Sequence, residues 1–217
     1  MRTVILANGA PPTAADISAW LRPGDRLYCA DGGGRAALAL GLRPTLVIGD
    51  FDSLDAAALE ALRARGAVIE RHPTHKDETD LELAVLRAAR EGAEDIVILG
   101  ALGGRFDHAL ANALLLGLPA LARVRARLAA GPETVMLLRG PGTLALEGAA
   151  GDLISLLPIG EATGITTEGL EYPLREERLG LGPARGVSNV MLGPRASVRV
   201  EQGALLCVQI REAGSNA

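Results

Sequence analysis

Over its first 140 residues the chain alternates two kinds of segment. Short β-branched or apolar runs, several closing on Gly, Asn or Asp, occur at Thr3–Asn8, Arg26–Asp31, Thr45–Asp50, Ala67–Arg71, Asp95–Gly100 and Thr134–Leu138. Between them lie stretches whose apolar residues recur at spacings of three and four. The clearest is Asp80–Glu91, which places Leu81, Ala84, Val85, Ala88 and Ala89 on one face of a helix. Regular strand–helix alternation predicts a parallel sheet covered by helices on both faces, an α/β/α domain of Rossmann-like type.

After residue 140 the helical spacing stops. Thr143–Glu147, Asp152–Leu157, Thr163–Thr167, Val187–Leu192, Ala196–Glu201 and Ala204–Arg211 follow one another with glycine punctuation. This texture predicts an antiparallel β-sandwich. The turn Arg139-Gly140-Pro141-Gly142 is the predicted join, giving domains 1–140 and 141–217.

Composition narrows the function classes. The chain has 217 residues, 48% of them apolar, which is too many for a disordered protein. A net charge of -4 and only five aromatic residues argue against a nucleic-acid partner. The longest apolar stretch, Ala109–Ala122, contains Asn112 and Pro119 and is too short to cross a bilayer. Met1-Arg2-Thr3 runs straight into a strand pattern without a signal-peptide layout. Cys29 and Cys207 sit far apart in apolar runs and read as reduced core residues. Together these predict a cytoplasmic protein with no membrane contact. Ten of the eleven Asp residues precede residue 140, whereas residues 140–217 hold eight Glu and one Asp. Short Asp side chains suit metal coordination at strand ends, so the chemistry is expected in the first domain.

Four strand-end segments carry that chemistry. In Gly49-Asp-Phe-Asp-Ser53 a buried strand presents Asp50 and Asp52 two residues apart, on one side of an extended chain. Such a site, at the carboxyl end of a parallel strand, is where open α/β sheets bind ligands. Mg²⁺ bridging to phosphate oxygens is the natural partner for the pair; the plainer reading is a turn in which Asp52 or Ser53 caps the next helix. In Lys76-Asp77-Glu78-Thr79-Asp80 the acids can be simple helix-capping residues, Thr79 or Asp80 serving as the cap. But Lys76 is the only lysine in a chain with 21 arginines, and a compact ammonium can meet a phosphate. In Gly103-Gly104-Arg105-Phe106-Asp107-His108 a glycine turn enters a helix, where backbone N–H groups and Arg105 can cradle an anion. His108 reads equally as an acid–base group or a helix-surface residue. Asp31-Gly32-Gly33 is again strand end, glycine, helix, without the dinucleotide-binding spacing.

Other chemistries fail on their residues. No Walker A loop is present, no Gly-x-Ser-x-Gly elbow, and no thiolate near His72 and His75 that would make a zinc site. A Mg²⁺–phosphate site remains.

Taken together and in order, Asp31-Gly-Gly, Gly49-Asp-Phe-Asp-Ser53, Asp77-Glu-Thr-Asp80 with Glu82, and Gly103-Gly-Arg-Phe-Asp-His108 with Asn112 resemble the motifs of the thiamine pyrophosphokinase family. Thr167-Glu-Gly-Leu-Glu-Tyr-Pro-Leu174 and Gly186-Val-Ser-Asn189 extend the resemblance over nearly the whole chain. The resemblance implies an N-terminal α/β domain, a C-terminal β-sandwich and a homodimer with sites at the interface. It implies transfer of diphosphate from ATP to the hydroxyl of thiamine, with Mg²⁺ and release of AMP. By position, Asp50, Asp52 and Asp80 would hold Mg²⁺, and Asp31 and Gly32 would lie beside the phosphates. Lys76, Thr79, Gly104, Arg105 and Asp107 would surround the nucleotide, with Asp31 and Asp107 as candidate proton acceptors. Ser188 and Asn189 would seat thiamine. The sequence departs from those relatives that use a C-terminal Trp: Trp20 lies early, and Tyr172 is the one aromatic of the second domain. The alternatives are a diphosphokinase for a hydroxymethylpterin, a Mg²⁺-dependent nucleotide hydrolase, and a non-catalytic nucleotide sensor that would have lost a metal carboxylate.

Overall fold

In the computed structural model, which describes residues 1–212, the apolar runs of the first half become strands and the periodic stretches become helices. In chain order they are β1 (Arg2–Leu6), α1 (Ala14–Trp20), β2 (Arg26–Ala30), α2 (Gly33–Ala39), β3 (Leu46–Gly49), α3 (Ala56–Ala64), β4 (Val68–Arg71), α4 (Asp80–Arg90), β5 (Asp95–Leu99), α5 (Phe106–Leu115) and β6 (Arg125–Ala130). The chain divides into two compact units at Gly131/Pro132.

The first unit's strands lie in the order β6-β5-β1-β2-β3-β4, and every neighbouring pair is parallel. From β1 the chain steps outward through β2, β3 and β4. It then returns by α4 to place β5 on the other side of β1. The order therefore reverses beside β1, the place where doubly wound sheets open a crevice at their carboxyl ends.

Strand alternation sorts the core by face. Val4, Leu6, Leu27, Cys29, Val47, Val97 and Leu99 join Ala37 of α2, Leu59 and Leu62 of α3, and Ile17 and Trp20 of α1. Helix α4 takes the opposite face, where Tyr28 Oη donates to Glu91 Oε2 at its C-terminus (2.5 Å). Its Leu81, Ala84, Val85 and Ala88 are buried as the spacing predicts, whereas Ala89 is only half-buried and Leu83 joins the buried face, each large side chain contributing roughly 1.5–3 kcal/mol. Thr79 caps α4 by accepting from Glu82 N (3.1 Å).

Two expectations shift. The sixth parallel strand is Arg125–Ala130, not Thr134–Leu138. Arg125 and Arg127 mask its strand pattern in the sequence, and both pair with Asp95 at the start of β5. Strand β7 (Glu133–Arg139) instead belongs to the second unit, antiparallel to the last strand, so the division falls before it rather than at Arg139–Gly142.

The second unit continues with β8 (Gly142–Glu147), β9 (Leu153–Pro158), β10 (Ala162–Glu168), β11 (Glu177–Leu179), β12 (Asn189–Val190), β13 (Arg195–Val200) and β14 (Ala204–Ile210). Its strands form two antiparallel arrays, β12-β9-β14-β7 and β11-β10-β13-β8. One core joins them: Ile154, Leu156, Leu205 and Cys207 from the first array, and Leu146, Ile165, Val198 and Val200 from the second. That is a β-sandwich. Cys29 and Cys207 are both buried free thiols, and burial pushes Cys207 up to about 12. No helix among the described residues is long and apolar enough to cross a membrane.

Candidate active site

The carboxyl edge of the parallel sheet holds a cavity of about 880 Å³. Its walls come from the loops after β1, β2, β3 and β5, and from the first turns of α4 and α5.

The turn after β2 brings Asp31 in with its backbone in the left-handed region, φ 39°. Its N–H donates to Ile48 O (2.9 Å) and its carbonyl accepts from Gly34 N (2.9 Å), so the turn is held from both sides. Asp31 is 4% exposed, and its Oδ1 is buried without a hydrogen-bond partner among the described residues. Gly32 and Gly33 permit the close approach: a Cβ on Gly32 would strike the Asn8 side chain, and one on Gly33 would strike Leu6 O.

The turn after β3 is strained in the same way. Phe51 has φ 64° and is buried, and of the two acids that flank it Asp52 lines the cavity. Asp52 N donates to Asp50 Oδ1 (3.1 Å). Asp52 Oδ1 accepts from Ser53 Oγ (3.0 Å), which in turn accepts from Asn8 Nδ2 (3.2 Å). The helix cap expected of Asp52 or Ser53 falls to Asp55, whose side chain accepts from Ala58 N (2.7 Å). That leaves the Asp50–Asp52 pair free for another use.

Asp31, Asp50 and Asp52 each offer a carboxylate oxygen within 4.8 Å of the other two. Asp80 lies against them. A Cβ on Gly49 would sit 3.0 Å from Asp80 Cγ and 3.1 Å from Asp31 Cβ, so the two acids crowd the strand end where glycine leaves room. Lys76 reaches into the group, with Nζ 3.0 Å from Asp80 Oδ1, 3.6 Å from Asp50 Oδ2 and donating to Pro73 O (3.0 Å). Burial pushes the Asp80 carboxyl up, and the charges of Asp50 and Asp31 add to that rise; Lys76 opposes it only in part. Burial works against the Lys76 ammonium, but Asp80 and Asp50 outweigh it and hold its affinity for a proton above the ordinary value.

Of the four carboxylates, Lys76 thus pairs with two, Asp50 and Asp80. An all-oxygen donor set, one oxygen orphaned and buried, fits a hard divalent cation such as Mg²⁺. The sequence reading grouped Asp50, Asp52 and Asp80; the geometry adds Asp31 to Asp50 and Asp52 and gives Asp80 to Lys76.

The loop after β5 forms the far wall. Gly103 and Gly104 both adopt positive φ, 83° and 70°, and turn the chain into α5. Arg105 stands at the helix N-terminus, exposed, and its guanidinium grips Asp107 with both edges: Nε to Oδ1 at 3.1 Å and Nη2 to Oδ2 at 2.6 Å. Arg105 thereby holds the Asp107 carboxyl down at about 2. A carboxylate so acidic is a poor proton acceptor near neutral pH. His108 is exposed on the next turn and lines the cavity. Asn112 Nδ2 donates to Ala101 O (2.8 Å), tying α5 to the loop.

Ser188 and Asn189 belong to the second unit. Ser188 is exposed with φ 59°, and its N–H donates to Ser155 Oγ (3.0 Å). Asn189 is buried and its amide is already used. Oδ1 accepts from Tyr172 N (3.0 Å) and Val190 N (2.9 Å), and Nδ2 donates to Tyr172 O (2.7 Å). Asn189 thus fixes the backbone of Tyr172, whose side chain stands exposed.

Asn8 was not among the residues expected here. It lines the cavity, supports Ser53 and packs on Gly32. Its signal in the sequence is faint: an Asn-Gly pair closing the first apolar run, at the strand beside which the sheet order reverses.

Comparison with known proteins agrees over both units. The thiamin pyrophosphokinase catalytic domain matches residues 20–125, and the thiamin pyrophosphokinase vitamin B1 binding domain matches residues 143–205. A thiamine pyrophosphokinase of Bacillus subtilis is 27% identical over 212 residues, 96% of this chain and 99% of its own. Thiamine pyrophosphokinase 1 of Oryza sativa subsp. japonica is 30% identical over 161 residues, 69% of this chain and 60% of its own. The crystal structure of thiamine pyrophosphokinase from Bacillus subtilis superposes with a TM-score of 0.86 at 25% identity, covering 98% of this chain and 100% of that one.

Proposed function

The chain belongs to the thiamine pyrophosphokinase family, and from that premise we propose how its own residues move a diphosphate group from ATP to thiamine. The observation that carries the proposal is the Asp31–Asp50–Asp52 cluster, with its orphaned oxygen, at the mouth of a cavity large enough for a nucleotide. These three residues would hold Mg²⁺, with Asp80 beside them. The ion supplies charge neutralisation for the phosphoryl oxygens.

Lys76 and Arg105 bind the triphosphate from opposite walls, and the N–H groups of the Gly103–Gly104 turn face the same anion. Arg105 exchanges Asp107 for phosphate as ATP enters, so Asp107 keeps the guanidinium oriented until then. The hydroxyl oxygen of thiamine forms a bond to the β-phosphorus, the bond from that phosphorus to the AMP oxygen breaks with its electron pair going to AMP, and the hydroxyl proton passes to solvent water. The rate rests on alignment and charge neutralisation.

In the second unit, Ser188 and the Tyr172 side chain positioned by Asn189 receive thiamine, whose flat cation suits an aromatic face. Phe106, Leu110 and Leu114 form an exposed apolar stripe along α5, the helix whose start carries Arg105. A second copy of the chain covers that stripe, which places the site beside a homodimer interface. The protein works in the cytoplasm.

The test is AMP release from Mg²⁺–ATP with and without thiamine, with the acceptor product identified by mass. Thiamine-dependent AMP together with thiamine carrying two added phosphates is expected. AMP without thiamine would indicate hydrolysis, and AMP only with a hydroxymethylpterin would indicate a different acceptor.

A further inference from the structure

The Asp50–Asp52 turn has a backbone that needs holding. Phe51 sits in the left-handed region, which a non-glycine residue rarely adopts. Ordinary strand pairing does not supply the hold: β3 ends at Gly49, paired with Arg71, and His72 N donates to Gly49 O (2.8 Å) as the last backbone link. Beyond it, one side chain takes over. Arg71 Nη1 donates to Asp50 O (2.7 Å), and its guanidinium lies over the Phe51 ring, 4.8 Å from the centroid. The contacts fall on the two residues that decide where the carboxylates point. The Asp50 carbonyl is drawn outward to Arg71, and the Phe51 ring is clamped between the core and the guanidinium. Beside it in the strand, Glu70 pairs with Arg87 of α4 and with His72 Nε2 (3.0 Å).

We propose that Arg71 is a positioning residue for the Asp50 and Asp52 carboxylates, and that the affinity of the site for a divalent cation depends on it. The inference rests on the metal reading above. It does not rest on charge, and that makes it testable by sign. A cation near a metal site repels the metal, so losing Arg71 as a mere charge would tighten divalent binding. Losing it as a clamp loosens the turn and weakens binding. A planar guanidinium can lie on a ring and donate in its own plane at once, whereas a lysine ammonium cannot.

The experiment measures Mn²⁺ binding to the full chain by electron paramagnetic resonance, with the metal alone and with ATP, for wild type, Arg71→Gln and Arg71→Lys. Both variants are expected to bind Mn²⁺ about tenfold more weakly, as for loss of a supporting partner at other metal sites. Because Arg71 is exposed at the sheet edge, both should keep the wild-type circular dichroism and melting temperature. If Arg71→Gln fails to fold, Arg71→Lys carries the same comparison. Equal or tighter binding by folded variants overturns the inference and leaves the metal reading intact. No Mn²⁺ binding by wild type, with or without ATP, removes the metal reading and Arg71's role with it.

Discussion

The two edges of the parallel sheet use the same acid in opposite ways. At the amino edge, Asp25 and Asp95 meet three arginines: Arg2 Nη1 lies 2.7 Å from Asp25 Oδ2, Arg127 Nη2 2.5 Å from Asp95 Oδ1, and Arg125 Nη2 3.5 Å from Asp95 Oδ2. The negative charge is matched on the spot. At the carboxyl edge, Asp31, Asp50 and Asp52 cluster with Asp80 beside them, and the Lys76 ammonium pairs with Asp50 and Asp80 alone. Buried charge is tolerated only when paired; at the amino edge the charges balance, although Arg2 Nε and Arg127 Nε are buried without a hydrogen-bond partner among the described residues, whereas the carboxyl edge carries an excess of negative charge that a cation would offset. What separates a structural cluster from a functional one here is an unbalanced sum.

The comparison can be broken from either side. The largest effect is expected at the deficient edge. Asp50→Asn should cut thiamine diphosphate formation about a thousandfold, near 4 kcal/mol of transition-state stabilisation, while the melting temperature holds or rises because a repulsive neighbour is gone. Steady-state rates together with a thermal melt read both halves; a variant that stays active removes Asp50 from the metal site. At the matched edge the pattern reverses. Asp95→Asn removes the charged partner of the part-buried Arg127 and of the exposed Arg125 and should cost about 2 kcal/mol of stability in a denaturant titration, with turnover unchanged within about twofold. A fall in turnover without loss of stability would contradict the division. Third, Mg²⁺ at a hundred times its Kd should stabilise wild type and Asp95→Asn by about 2.7 kcal/mol. Asp50→Asn should gain much less, and a chelator should reverse the gain; equal shifts in all three proteins would place the ion elsewhere.

The smallest effect comes from an acid that needs no cation at all. Asp16 is buried, with Oδ2 accepting from Thr13 N (2.7 Å) and Thr13 Oγ1 (2.7 Å), and Oδ1 from Gly131 N (2.9 Å). Burial pushes its carboxyl up, but these donors outweigh it and hold it below the ordinary value of 3.8. A lowered folded-state value means its stabilisation is present above 3.8 and is lost as the pH falls through the folded value. Asp16→Asn should therefore cost about 1 kcal/mol at pH 7. The gap from wild type should narrow only below about pH 3.8; a gap independent of pH would rule out the charge as its source.

Much of this was legible before any coordinates. Strands β1, β2, β3 and β5 and helix α4 follow from local pattern, because parallel strands buried on both faces read as unbroken apolar runs, while the edge strand β4 shows only its short β-branched start. The acids of Asp31, Asp50, Asp52 and Asp80 stand out as strand-end or helix-start residues. Their grouping does not, since it depends on which strands are neighbours: Asp31 meets Asp50 because β2 lies beside β3, and Asp80 closes over Gly49 from another element. Strand β6 was hidden by the arginines that neutralise Asp95. Strand β7 reads locally like its parallel predecessors, and only its pairing with Ala204–Ile210 assigns it to the second unit. Asn189 reads as a polar residue available to a ligand, and its real partner, the Tyr172 backbone, lies 17 residues away in sequence.

Lys76 has one further consequence, for anyone watching this molecule open and close. It is the single lysine of the chain, so a lysine-specific endoprotease has one bond to cut, between Lys76 and Asp77. In the folded protein that side chain is 12% exposed and tied to Asp80, Asp50 and Pro73. The rate of that cut therefore counts how often this one loop lets go, and a ligand that empties or fills the neighbouring carboxylates will write its presence into the digestion time.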